Sequence, residues 1–176
     1  MLTLNKKERQ IVLASIIVYY LVLIWIIMFK MGIVPLEEMS NRGPYLLPFQ
    51  FIIGLFEYQQ LETLPRQMLV VISNFVLFIP IGLGIGALTN NKKTKTILAL
   101  VLGSVMEIVQ VIFAFGVFDL WDMILNISGI VYGYALLLRI IDYIKIDRTV
   151  KILKVLIIIG LVVFILGMAF AIYRLF

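Results

Sequence analysis

The chain has 176 residues, 63% of them hydrophobic and only 14% charged, with a mean hydropathy of +1.12. A soluble domain carries roughly a quarter charged residues, so this composition excludes a soluble globular protein and implies an integral membrane one. There is no Cys and no His, which excludes disulfides, thiolate chemistry and the usual zinc sites, and leaves oxygen-liking ions such as magnesium or calcium for any metal.

Residues 1–10 form a short basic lead. Ile11 to Phe29 follows as an uninterrupted apolar run, long enough to cross a bilayer at about 1.5 Å per residue. It reads as a retained helix rather than a signal peptide, because it ends in the bulky Trp25 to Phe29 and not in a small-residue cleavage site. Lys30 to Gln67 is the longest connection. Within it, Leu46 to Phe49 and Phe51 to Phe56 are too short and broken to span, and are predicted to lie in the interface or dip towards the bundle.

Met68 to Leu88 is predicted as the second span, with Asn74 near its start and Pro80 as a kink in its middle. Gly82, Gly84 and Gly86 follow the proline at spacings that permit close helix approach. After the basic turn Thr89 to Thr96, a third span runs from about Ile97 to Phe113 and a fourth from about Leu120 to Ile141. Gly129 and Gly133 give the fourth span a small-residue face. Asp142 to Lys151 is a second basic loop, and Ile152 to about Tyr173 is a fifth span that reads as a passive anchor.

The expected fold is therefore all-α, a polytopic membrane helix bundle of about five transmembrane helices in one domain, 1–176. Orientation follows from the cations. With the N-terminus inside, inner segments hold eleven lysines and arginines (Lys6, Lys7, Arg9, Lys92, Lys93, Lys95, Arg139, Lys145, Arg148, Lys151, Lys154). The outer segments hold four: Lys30, Arg42, Arg66 and Arg174. This matches the positive-inside rule, with the N-terminus in and the C-terminus out. The net charge of +5 is thus topology, not a nucleic-acid footprint.

The polar residues inside the spans share a depth. Ser104 to Gly133 is almost wholly apolar, yet it carries Glu107 and Gln110 three apart, then Asp119, Asp122 and Asn126 three and four apart. Each set falls on one helix face. Asn74, six residues after Met68, lies about 9 Å deep if helical. All six positions fall in the outer half of three consecutive spans. Asp119 and Asp122 are also what a helix start calls for as caps, and Asn74 and Asn126 are what interhelical hydrogen bonds use. Glu107 is hardest to explain that way, since a lone glutamate within a span has a partner or a task.

At these residues the chain resembles the VanZ-like family of bacterial membrane proteins, named for an accessory glycopeptide (teicoplanin) resistance protein. The matching pieces are Arg42 with Leu46-Leu47-Pro48-Phe49; Asn74 to Gly82; Glu107-Ile108-Val109-Gln110; and Phe118 to Gly129. The family-like core spans about 42–141, leaving 142–176 as basic loop and anchor helix. Two positions depart from the family pattern: Tyr45 stands where an Asn is usual, and Trp121 where an acid often precedes the aspartate matched by Asp122. The resemblance implies a role at the cell envelope, in the bacterial cytoplasmic membrane, with a link to glycopeptide susceptibility. It supplies no reaction.

Two functions are open on these residues. The first is an outward-facing polar site that acts on an envelope or lipid-linked substrate, such as a lipid-linked cell-wall precursor. There Glu107 and Asp122 serve as catalytic acid/base or as ligands for a magnesium or calcium ion, with Arg42, Asn74, Gln110, Asp119 and Asn126 binding substrate. The second is a non-enzymatic lipid- or precursor-binding or accessory protein, in which the cluster is structural. Beyond that ion no cofactor is expected; membrane lipid is the expected partner.

Overall fold

The computed structural model describes residues 4–30, Leu46, 64–113 and 118–143. Arg42, the rest of the interfacial segments after Leu46, and the fifth span from Ile152 lie outside the described residues. Five helices make up the described chain: α1 (Lys6–Lys30), α2 (Leu64–Val76), α3 (Ile79–Leu88), α4 (Lys92–Ile112) and α5 (Leu120–Tyr143). Four stretches are helical, long and apolar enough to cross a membrane: Lys6–Trp25, Val71–Leu88, Lys92–Ile112 and Leu120–Arg139. The protein is an all-α polytopic membrane bundle, and no strand occurs among the described residues.

Three helices, α1, α2 and α4, start earlier than the apolar pattern predicts, and capping explains the first and the last. Asn5 and Glu8 form a reciprocal box: the Glu8 N–H donates to Asn5 Oδ1 at 2.9 Å, and the Asn5 N–H donates to Glu8 Oε2 at 2.9 Å. That fixes the start of α1 at Lys6 rather than Ile11. Asn91 Oδ1 accepts from the Thr94 N–H at 3.2 Å, so α4 begins at Lys92 rather than Ile97.

The second span is two helices rather than one kinked helix. Pro80 has no N–H to give the Val76 carbonyl, and its ring crowds that turn. The chain therefore stops α2 at Val76 and restarts α3 with Pro80 in its first turn, where an N–H has no helical partner anyway. At the break the ladder shifts, with the Phe78 N–H donating to Phe75 O at 3.3 Å.

The last described helix, α5, is the hub. It packs against α2, α3 and α4, while α1 lies on α3. Glycines set the closeness of α3 and α5. A methyl group on Gly82 would fall on the Ile130 carbonyl, and one on Gly133 would fall on Ile79 O and lie 2.9 Å from Gly82 Cα. One on Gly129 would strike Phe75 O. Pairing Phe75 with Gly129, Ile79 with Gly133 and Gly86 with Tyr134 and Leu137 shows that α2–α3 and α5 run parallel. On the other flank Gly103 of α4 sits on the backbone of Ile127. Leu23, Phe78, Ile81, Ile85, Ala99, Met106 and Ile130 fill the core between these contacts.

Candidate functional site

The site lies where α4 ends and α5 begins. The register of the glycines places its parts. Gly103 rests on Ile127, so Glu107, one turn further along α4, reaches the first turns of α5. There Glu107 Oε2 accepts the backbone N–H of Asp119 at 3.1 Å. Glu107 is 2% exposed, and no other hydrogen bond is seen to reach its carboxylate from the described residues. Asp119 and Asp122 lie near enough for their charges to act on Glu107.

Asp119 itself caps α5. Its Oδ1 accepts from the Trp121 N–H at 2.8 Å and from the Asp122 N–H at 3.3 Å. Its side chain thus satisfies free donors of the helix start, while its own N–H serves Glu107. Glu107 in this way sits at the positive end of the α5 dipole, which favours a negative charge there. Asp122 occupies the first turn of α5, where the same dipole acts on it.

Asn74, Gln110 and Asn126 are all buried. Asn74 precedes Phe75, whose carbonyl lies on Gly129, so Asn74 and Asn126 fall at one level of the parallel pair α2–α5. Asn126 shares its face of α5 with Gly129 and Ile130, the face turned to the α2–α3 break, and it adjoins Ile127 on the α4 side. It is therefore placed in the junction of three helices. Gln110 follows Glu107 on the buried face of α4. Among the described residues no group of three or more acidic side chains is arranged to hold a metal ion.

One contact at the site is made by the main chain rather than by a side chain the sequence singles out. Glu107 meets α5 through a backbone donor, the Asp119 N–H. The sequence also gives no prominence to two residues that support the site from α1. The Tyr19 hydroxyl donates to Leu77 O at 2.9 Å, and the Tyr20 hydroxyl donates to Leu102 O at 2.6 Å. Leu77 lies in the helix break three residues after Asn74, and Leu102 lies five before Glu107. Adjacent tyrosines amid an otherwise apolar run were the available signal, because a buried phenol needs a hydrogen-bond partner.

Chemically, the arrangement concentrates acceptors. A buried carboxyl beside two others and a buried amide can pass a proton or hold a positively charged donor. The family model of VanZ/LLP1 matches residues 16–142. Protein VanZ of Enterococcus faecium is 32% identical over 155 residues, covering 83% of this chain and 87% of that protein. No solved structure matches the chain.

Proposed function

Because the chain belongs to the VanZ/LLP1 family, we propose that it works at the bacterial cell envelope, from the outer face of the cytoplasmic membrane. In this reading the polar junction receives an envelope or lipid-linked substrate, and its activity lowers susceptibility to a glycopeptide such as teicoplanin. Glu107 is the acid/base or charge-holding group, with Asp122 as its partner carboxylate. Asn74, Gln110, Asp119 and Asn126 orient the substrate, with Arg42 of the long connection assigned to its binding from the sequence alone.

The observation that carries this reading is the Glu107 carboxylate, 2% exposed within a membrane span yet met by a backbone N–H of the neighbouring helix. A group so costly to bury is functional by default. Glu107→Gln and Asp122→Asn keep shape while removing charge. Both variants are expected to insert and accumulate normally but fail to restore teicoplanin tolerance to a strain lacking the chain. Full tolerance with both variants would defeat the proposal.

A second reading is non-enzymatic binding of the same class of substrate. It is favoured by the absence of Cys and His, which leaves no conventional nucleophile and base pair.

A further inference from the structure

A second feature of the junction points to the chemistry of what enters it. Asn126 is 2% exposed, and its Oδ1 is fully buried without a hydrogen-bond partner. Leaving a buried amide oxygen without a donor costs about 1–3 kcal/mol, so the position calls for a donor from outside the chain. The face it occupies turns to the α2–α3 break, at the level of Asn74, and Ile127 beside it carries Gly103, one turn from Glu107.

Carboxyl groups gather near it, Glu107 from α4 and Asp119 and Asp122 from the first turns of α5. Glu107 takes the Asp119 N–H on one oxygen, which leaves its other oxygen for a ligand. Asp119, whose N–H bonds Glu107, adds a second carboxyl beside it. An anionic group would be repelled there. A magnesium or calcium ion takes about six or more oxygen ligands in a set geometry, some of them waters. An ammonium needs less: three N–H donors and one positive charge, met by a few acceptors in a flexible geometry.

We infer that the junction takes the primary ammonium group of a membrane amphiphile, its N–H donors shared between Asn126 Oδ1 and the Glu107 carboxylate. This rests on the cluster being a binding site, as proposed above, and adds the class of ligand. An aminophospholipid headgroup and an amine-bearing peptide on a lipid-linked precursor carry the same chemistry. The phosphate of either stays outside the acidic junction while the amine enters.

The test uses the full chain, purified in detergent and offered defined lipids, with retained lipid counted by native mass spectrometry. Phosphatidylethanolamine should be retained about tenfold over phosphatidylcholine, which has the same charges but no N–H donor, the size expected for one hydrogen bond to a charged group. Glu107→Gln and Asn126→Leu should erase that preference, and Asn126→Asp, which keeps the oxygen acceptor, should preserve it. Should Asn126→Leu fail to fold, Asn126→Asp and Glu107→Gln decide the matter, because loss of preference in the former or its survival in the latter overturns the inference. Equal retention of both lipids, preference for phosphatidylglycerol, or bound calcium or magnesium in place of lipid would each do the same. So would a water alone at Asn126, seen as identical retention by wild type and Asn126→Leu. A polyprenyl diphosphate bearing a lysine-containing peptide separates the sources: if it displaces phosphatidylethanolamine the amine belongs to a lipid-linked precursor, and if it does not, to the phospholipid. No lipid preference in the wild-type chain, alongside a Glu107→Gln variant that still fails in teicoplanin tolerance, would sink this inference and leave the proposed function standing.

Discussion

The Tyr19 hydroxyl donates to the Leu77 carbonyl at 2.9 Å, so a side chain of the first helix is tied to the residue where the second span stops being helical. A break in a span leaves backbone groups that lipid cannot satisfy. Tyr19 supplies a donor at that point, and Tyr20, its neighbour, ties the same helix to α4 at Leu102. Tyr19→Phe keeps the ring and removes only the donor. It should cost about 0.6–2 kcal/mol, the range of hydrogen bonds between membrane helices. Tyr20→Phe should cost a similar amount, and the double variant about their sum, since the acceptors, Leu77 in the break and Leu102 of α4, are separate. Reversible unfolding in mixed micelles measures all three; an unchanged midpoint for Tyr19→Phe would remove the tie from the account.

The contact of α3 with α5 predicts a graded glycine series. Gly82→Ala would drive a methyl into the backbone of Ile130, and Gly133→Ala into that of Ile79. Gly84→Ala would meet only the side chain of Ile16, which can turn away. The first two should lose about 1–3 kcal/mol or more, as overpacking does, and Gly84→Ala clearly less. The same unfolding assay ranks them. Equal losses at all three positions would mean that the backbones do not set the spacing.

Much of this arrangement could be read from the letters alone, for physical reasons. Apolar runs of membrane length define the spans, and Gly129 with Gly133 marks the face that packs. Pro80 announced an interruption, but its effect falls on the carbonyl four residues back, so α2 ends at Val76 instead of bending at the proline. The burial of Asn74, Glu107, Gln110 and Asn126 follows from their spacing on helix faces. What no letter carries is a main-chain donor: every residue but proline has one, and only the fold aims that of Asp119 at Glu107. Asp119 likewise looked like a cap or a site residue with equal reason, and its side chain caps α5.

Pairs of introduced cysteines test the register, since the chain has none of its own. Asn74→Cys with Asn126→Cys should cross-link with a short bifunctional reagent, because both residues are buried at one level of parallel helices. Asn74→Cys with a cysteine at Leu137, deeper along α5, should not. The reverse pattern would shift the helices against each other and dissolve the three-helix junction.

Reporter fusions test the orientation that the cation count predicts. A fusion at Lys92-Lys93 should report the cytoplasm, and one in the Glu37 to Glu62 connection the outside. Since α4 begins at Lys92 and Glu107 lies near its far end, a fusion at Lys92 found outside would turn the polar junction to the cytoplasm and end the case for an extracellular substrate.

The central position of α5 bears on the order in which the protein can be built. Translation delivers α2, α3 and α4 before the helix that each of them packs against. Until residues 120–143 have entered the bilayer, Gly82 and Gly86 face lipid, Gly103 has no Ile127 to rest on, and Glu107 has no Asp119 amide to bond. The buried glutamate is therefore at its least protected while the ribosome is still at work. Among the described helices, the core and the polar junction are closed late, by a single helix.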